Sequence, residues 1–202
     1  MALQRFPLEQ YATLELNQVA FPKTGMVVSQ TPLGDAFTKD APCENGMWVV
    51  ADKAAKVINA PAAATDKPIG IVYTAEKEYD NFHYGLKTFG RKIAGDYPRV
   101  GILGVGDTVT TNCLQYDDSV FQAVTTSGSE KTSAEVLDAY LSALDDTNKA
   151  YVVISVKNGA KAGVPEIVKT LPNGYTGIYG RIVKYYTVPN GEKGVKYQII
   201  SL

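Results

Sequence analysis

GIYGRIVKYYTV (residues 177–188), PNGEKG (189–194) and VKYQII (195–200) follow one another near the end of the chain. The first and last of these stretches are rich in β-branched and aromatic residues, which favour strands. Between them, Asn190 and Gly191 supply the positive φ angles of a tight turn. The segment therefore predicts a closing antiparallel β-hairpin.

Strict alternation along the first strand of this hairpin divides its side chains between two faces. One face would carry Ile178, Gly180, Ile182, Lys184, Tyr186 and Val188, and the other Tyr179, Arg181, Val183, Tyr185 and Thr187. Both faces are partly apolar, so we expect one to meet the core and the other a partner. For Tyr179 and Tyr185 two interpretations stay open: they cover the edge of the core, or they belong to an interaction surface.

Upstream, short apolar runs recur between residues 46 and 125, each bounded by Gly, Pro, Asn or Asp. They lie at 47–50, 56–58, 69–73, 99–103, 108–111 and 120–124. This spacing is typical of antiparallel β structure. Residues 46–130 are therefore predicted to form a β-rich domain with a small barrel or sandwich core.

A single stretch has a helical period. From Ser133 to Asp145, apolar residues recur at spacings of three and four, and Thr132 and Glu135 have the spacing of a capping box. We predict one amphipathic helix here, with its apolar stripe on the core. With the strands that follow it, this helix makes residues 131–202 a helix-plus-hairpin unit.

Residues 1–45 differ from the rest, because prolines interrupt their short apolar runs at positions 7, 22, 32 and 42. Proline gives no amide to a sheet ladder and restricts the residue before it. The segment is therefore predicted to be an extended arm. Such an arm either packs as an edge strand on its own domain or reaches across a neighbouring subunit.

The chain has 202 residues, with 20 Lys and Arg against 21 Asp and Glu, and a net charge of -1. This balance argues against a dedicated polyanion-binding protein, so we expect no nucleic-acid partner. No apolar run approaches the roughly 20 residues that span a bilayer, and the first ten residues lack a signal-peptide core. We therefore expect no membrane partner, and synthesis in a cytoplasm.

The residues do not form a catalytic constellation, and we expect neither an enzyme nor a cofactor or metal site. Cys43, Cys113 and His83 are too few and too scattered for a zinc site or a recognisable nucleophile motif. The glycine-rich run 101–107 continues into a strand rather than the helix that a phosphate loop needs, which predicts a turn between strands. The acidic pairs at 117–118 and 145–146 are likewise expected at turns or helix ends.

Aromatic side chains cluster between residues 73 and 90, in a stretch interrupted by two glycines. A loop of this length in a compact domain is usually functional or ordered by a partner. Four of its residues are candidates for an interaction surface: Tyr79, Phe82, Tyr84 and Phe89. The alternatives are an ordinary loop and, because tyrosines stack on sugar rings, a carbohydrate-binding module.

Three short motifs lie in the β-rich segment: GMWVVAD (46–52), DKPIGIVY (66–73) and VGDTV (105–109). In this order they resemble the tailed-bacteriophage head-decoration (capsid cement) proteins. The resemblance implies a non-enzymatic virion protein that binds the major capsid protein on the outer surface of an assembled head and stabilises it. It also implies a homo-oligomer, often a trimer. The near-neutral charge fits an outer position better than one that faces DNA.

A second location within the virion stays open. The closing hairpin could add its strands to a neighbouring subunit by edge pairing, which favours a tail or baseplate component.

Overall fold

A computed structural model describes residues 3–6, 12, 14, 18–22, 25–28, 30–51, 54–74, 92–126, 129–187 and 191–202. Over this part of the chain the protein is mainly β with one α-helix, which confirms the predicted fold class. The strands form two sheets, packed face to face as a sandwich, and a separate two-stranded ribbon.

The larger sheet has eight strands. In spatial order they are β1 (Leu3–Arg5), β8 (Gln115–Asp117), β12 (Glu166–Val168), β11 (Tyr151–Val153), β13 (Tyr179–Thr187), β14 (Lys193–Ser201), β7 (Thr108–Thr111) and β2 (Val19–Ala20). Neighbouring strands are antiparallel except for β12 and β8, which run parallel. The two long strands of the closing hairpin therefore lie inside the sheet rather than at its edge.

Both edge strands of this sheet come from the predicted arm. β1 pairs with β8, and β2 pairs with β7. The described parts of the arm thus lie on the chain's own sheets, as in the first of its two interpretations. All three predicted segments, 1–45, 46–130 and 131–202, contribute strands to the larger sheet.

The smaller sheet has four antiparallel strands in the order β3 (Val27–Val28), β6 (Val100–Ile102), β5 (Ile69–Val72) and β4 (Trp48–Val50). Both of its faces are buried, which is why its strands are almost continuously apolar. Trp48 and Ile71 belong to the core between the sheets, whereas Val49 and Val72 belong to a second core under residues 30–60.

Trp48 ties the two sheets together. Its ring lies edge-on to that of Tyr197 on β14, with the ring centroids 6.0 Å apart, and its Nε1 donates a hydrogen bond of 2.9 Å to the Tyr197 hydroxyl. Both side chains are buried. A large apolar surface is therefore removed from water without leaving the indole N–H unpaired.

The single helix of the described chain, α1 (Ser133–Ser142), begins as predicted. Thr132 accepts a hydrogen bond from the Glu135 amide, and the Glu135 carboxylate accepts one from the Thr132 amide, so both halves of the capping box form. Leu137 and Leu141 are buried in the core between the sheets. The helix ends three residues before the predicted Asp145, whose carboxylate instead accepts two backbone amides in the following turn.

Two predicted strands are wrong. Val120 lies in a turn that follows Asp117, and the next strand, β9 (Val124–Thr126), begins where the predicted one ends and pairs with β10 (Ser129–Lys131). The Asp117 carboxylate accepts the Ser119 amide at 2.9 Å, which closes this turn before a strand can start. At 56–58 the structure has only an isolated bridge at Ile58.

The closing hairpin is confirmed, with two irregularities that alternation does not predict: one at Val183 of β13, and one at Ile200 of β14, which lies between the pairs Tyr179–Ser201 and Gly180–Ile199. Thr187 pairs with Lys193, and Gly191 in the connection has a φ of 89°, whereas Asn190 lies outside the described residues. Along β13, Ile182 pairs with Tyr197 and Lys184 pairs with Lys196, so Val183 is an extra residue, a β-bulge.

Candidate interaction surface

The bulge at Val183 decides where the two tyrosines of the hairpin point. Before it, Ile182 faces the core and Tyr179 faces outward; after it, Tyr185 faces the core and Lys184 faces outward. The predicted sharing of one face by Tyr179 and Tyr185 is therefore wrong. One extra residue reverses the alternation because side chains in a strand repeat every two residues.

Tyr185 covers the edge of the core. Its ring lies edge-on to Phe6, with the centroids 6.4 Å apart, and its hydroxyl donates a hydrogen bond to the Asp138 carboxylate on α1. Burial, and then the adjacent carboxylate, raise the pKa of this hydroxyl well above its ordinary value of 10.0. Tyr185 therefore joins the helix to the sheet as a neutral donor.

Tyr179 lies on the opposite side of the larger sheet, in a region that we call the outer face. It is defined by the outward side chains of four adjacent strands: Tyr151, Tyr179, Arg181, Val183, Lys184, Lys196, Gln198, Ile200, Thr108 and Thr110. The rings of Tyr151 and Tyr179 are in edge-on contact, with their centroids 6.1 Å apart, and both side chains are half-buried. Val183 is 51% exposed and Ile200 is 42% exposed.

The charged side chains that the strands of the outer face contribute are all positive. The four strands that form it contain no Asp or Glu, whereas Arg181, Lys184 and Lys196 project outward from them. An acidic neighbour from outside these strands, Asp146, lies 3.5 Å from the Arg181 guanidinium and is fully exposed. Such a pair contributes little in water. The outer face is thus a surface of tyrosine, aliphatic, threonine and cationic side chains.

Farther along the same side of the sheet, the connection between β11 and β12 covers a cluster of buried charges. Lys157 donates to Asp117 at 3.1 Å and to Glu166 at 2.5 Å, and both carboxylates are almost fully buried. Glu44, also buried, accepts from Arg5 at 3.0 Å and lies 3.8 Å from the ammonium of Lys161.

A neutral side chain fixes the backbone of this connection. Gln115 donates to the carbonyl of Val164 at 2.6 Å and accepts from the amide of Lys161 at 2.9 Å. The three buried carboxylates and the Gln115 amide therefore have partners that compensate for their lost hydration.

Proton affinities in this cluster follow from the same contacts. Burial by itself would raise the pKa of Asp117, but hydrogen bonds from Ser119 and Lys157 outweigh it and hold the pKa below the ordinary 3.8. Burial would lower the pKa of Lys157, but bonds to Glu166 and Asp117 outweigh it and raise the pKa above 10.5. Both groups are therefore charged at neutral pH, as structural ion pairs.

The residues considered for chemistry take structural positions where the structure describes them. Cys43 and Cys113 are buried free thiols of the second core, and burial raises the pKa of Cys113 to about 12, so it is a thiol at neutral pH. The run 101–107 is a turn between β6 and β7, as predicted: Gly106 has a φ of 100°, and the Asp107 carboxylate accepts the Gly104 amide at 2.7 Å. His83 lies outside the described residues.

The described residues provide neither a metal-binding cluster nor a membrane-spanning helix. In that part of the chain, no group of three or more His, Cys, Asp and Glu side chains is arranged to hold a metal ion. Of the helical segments described, none has the length and apolarity needed to cross a membrane.

The outer face adds residues that the sequence did not single out, while the other candidates stay untested. Tyr79, Phe82, Tyr84 and Phe89 lie outside the described residues. Tyr151, Lys196 and Ile200 were missed because the surface that they share with Val183 and Lys184 depends on the pairing of four strands. The absence of acidic residues from those strands was the one signal available in the sequence.

No protein family, no curated protein and no solved structure matches this chain.

Proposed function

We propose that the protein is a non-enzymatic structural protein of a virion, which binds the outer surface of an assembled phage head and stabilises it. In this proposal it is a decoration protein, acts as a homo-oligomer and has the major capsid protein as its partner. The outer face supplies the contact with the head.

The observation that carries the proposal is the composition of the outer face. Exposed aliphatic side chains, paired tyrosines and an arginine are the residue types enriched in protein interfaces. Val183 and Ile200 are about half exposed although they lie in the middle of a sheet rather than in a loop. Exposed apolar side chains on one face of a sheet are typical of interaction sites.

Rigidity favours the same interpretation. β13 and β14 each have nine residues, and the core between the sheets supports them from the inner side. A surface held in one conformation before binding loses little entropy when a partner covers it. A protein that holds neighbouring shell subunits together needs such a preformed surface.

The positions of the family-like motifs add support. Trp48 and Ile71, from the first two motifs, are directly paired across neighbouring strands of the smaller sheet. The third motif forms the turn at Gly106 that leads from the smaller sheet into the larger one. The three motifs therefore act as one local unit in this fold.

A binding assay tests the proposal. Purified protein is mixed with heads of the encoding phage that were assembled without it, and the heads are sedimented. We expect the wild-type protein to co-sediment, and Ile200→Asp to lose most of this binding, because a buried unpaired carboxylate at a contact costs several kilocalories per mole.

Val124→Asp is the matched control. Val124 is 44% exposed, close to the 42% of Ile200, but lies on the two-stranded ribbon rather than on the outer face. This variant should bind as the wild type does. If the wild-type protein fails to sediment with heads but labels tails or baseplates in micrographs, the head proposal is overturned; binding to a glycan array alone would point to carbohydrate recognition.

A further inference from the structure

Two lysines face each other on the outer face. Lys184 of β13 and Lys196 of β14 are direct cross-strand partners, and both are exposed. Partners in an antiparallel pair project from the same face with their Cβ atoms about 5 Å apart, and like charges at this position are destabilising. The four strands of the outer face offer no carboxylate that would offset the repulsion.

We propose that the outer face docks on an acidic protein surface, whose carboxylates lie over Lys184 and Lys196. This inference rests on the proposed function and specifies the chemistry of the partner: a patch of Asp and Glu on the head surface, next to apolar side chains that meet Val183 and Ile200. The repulsion between the lysines in the free protein is relieved when the carboxylates arrive.

Charge complementarity selects this occupant over a second copy of the chain. A two-fold contact between two outer faces would bring Lys184, Lys196 and Arg181 of both copies together. Juxtaposed like charges of this kind are a common means of suppressing wrong partners. A two-fold contact between two outer faces is therefore disfavoured.

The composition of the outer face also favours protein over nucleic acid. Strong duplex binding draws on many phosphate contacts, and this face has three outward cations in a chain of net charge -1. The same face also carries exposed Val183 and Ile200, which have no counterpart on a phosphate backbone. An acidic patch with apolar neighbours on a protein partner matches both the cations and the exposed aliphatic side chains of the outer face.

Head binding as a function of salt tests the inference. Wild-type protein and Lys184→Gln/Lys196→Gln are titrated onto decoration-free heads between 50 and 500 mM NaCl, about the range over which the Debye length falls severalfold. We expect the double variant to bind about three- to tenfold more weakly at 50 mM and to lose most of the salt dependence. Lys39→Gln/Lys131→Gln, with the same change of charge at exposed lysines of other segments, should bind like the wild type.

Stability of the free protein gives a second measurement. Lys196→Glu replaces the like-charged pair with an opposite-charged pair, so its urea midpoint should rise while its binding to heads is lost. If the side chain of Lys196 had only a structural role, Lys196→Glu would not raise the urea midpoint while it abolishes binding to heads. A lower urea midpoint for Lys196→Glu would overturn the argument from repulsion.

The outcomes separate the inference from the proposed function. If the wild-type protein binds heads, but salt and Lys184→Gln/Lys196→Gln have no effect, the inference is wrong and the decoration function stands. Absence of binding to heads removes the function, and the inference with it. Tighter binding to a 20-base-pair DNA duplex than to heads at 150 mM NaCl would also overturn the inference.

Discussion

A single ammonium group, that of Lys157, serves two buried carboxylates on neighbouring strands. Asp117 ends β8 and Glu166 begins β12, and their side chains are 5% and 2% exposed. Two carboxylates held close together out of water repel each other unless a cation lies between them. At this scale, one side chain is the cationic partner of both carboxylates.

Lys157→Met tests this dependence. We expect a loss of about 2 kcal/mol in the free energy of unfolding at pH 7, below the 3–5 kcal/mol typical of a broken buried pair because the lysine side chain is 46% exposed. Chemical denaturation measures it. Lys161→Met is the matched control: its 39% exposed lysine lies 3.8 Å from Glu44, which also has Arg5, so its cost should be smaller.

The pH dependence of this loss has a definite sign. Because the pKa of Asp117 is lowered by folding, its stabilising contribution is present above the ordinary value of 3.8 and is lost as the pH falls below it. The pKa of Lys157 is raised, so its contribution is present below 10.5 and is lost at higher pH. The difference between wild type and Lys157→Met should therefore shrink at both extremes. A difference that grows toward pH 3 would contradict the ion-pair assignment.

At the scale of elements, the helix shows how local chemistry determines a boundary. Thr132 and Glu135 satisfy each other's backbone amides, and the helix starts at the next residue after Thr132. The hydrogen bonds from Thr132 also hold the pKa of the exposed Glu135 carboxyl below its ordinary value. The C-terminal end of the helix lacks a capping box, and there the predicted helix is three residues too long.

Thr132→Ala removes the side-chain half of the capping box. It should lower the free energy of unfolding by about 1 kcal/mol, the usual cost of losing an N-cap oxygen. Thr147→Ala provides the control, because Thr147 uses its backbone amide rather than its side chain to bond Asp145. Equal losses in the two variants, measured by thermal unfolding, would show that the box contributes nothing.

At the scale of the whole molecule, the two sheets share one core. Trp48, the only tryptophan in the chain, belongs to the smaller sheet, whereas its hydrogen-bond partner Tyr197 belongs to the larger one. A shared core predicts that both sheets unfold together. Unfolding followed by tryptophan fluorescence and by far-ultraviolet circular dichroism should therefore give one coincident transition. Such a transition would indicate that the three predicted segments unfold together.

Tyr197→Phe tests the link itself. The substitution leaves the buried indole N–H without its acceptor, so we expect a loss of about 1–3 kcal/mol and a changed fluorescence spectrum of Trp48. Tyr97→Phe, at a tyrosine that is 59% exposed, should change neither quantity. A wild-type spectrum and stability for Tyr197→Phe would mean that the sheets are not joined at this point.

Much of the fold could be predicted from local patterns. Apolar runs placed β4, β5, β6, β7, β13 and β14, and the capping box placed the start of the helix. The strands β8 and β12 were missed because they are three residues long and include buried Gln115, Asp117 and Glu166. Charged residues are expected at the surface, and only distant partners make their burial possible.

By itself, the sequence determined the β class, the helix start and the closing hairpin, since periodicity and capping act over a few residues. Only the tertiary structure decided which sheet each strand joins, which side of the hairpin meets the core, and that Lys184 lies opposite Lys196. The bulge at Val183 shows the reason: the register of β13 is set by its partner strand, fourteen residues away at Tyr197. One extra residue there exchanges the two faces, and no local pattern encodes it.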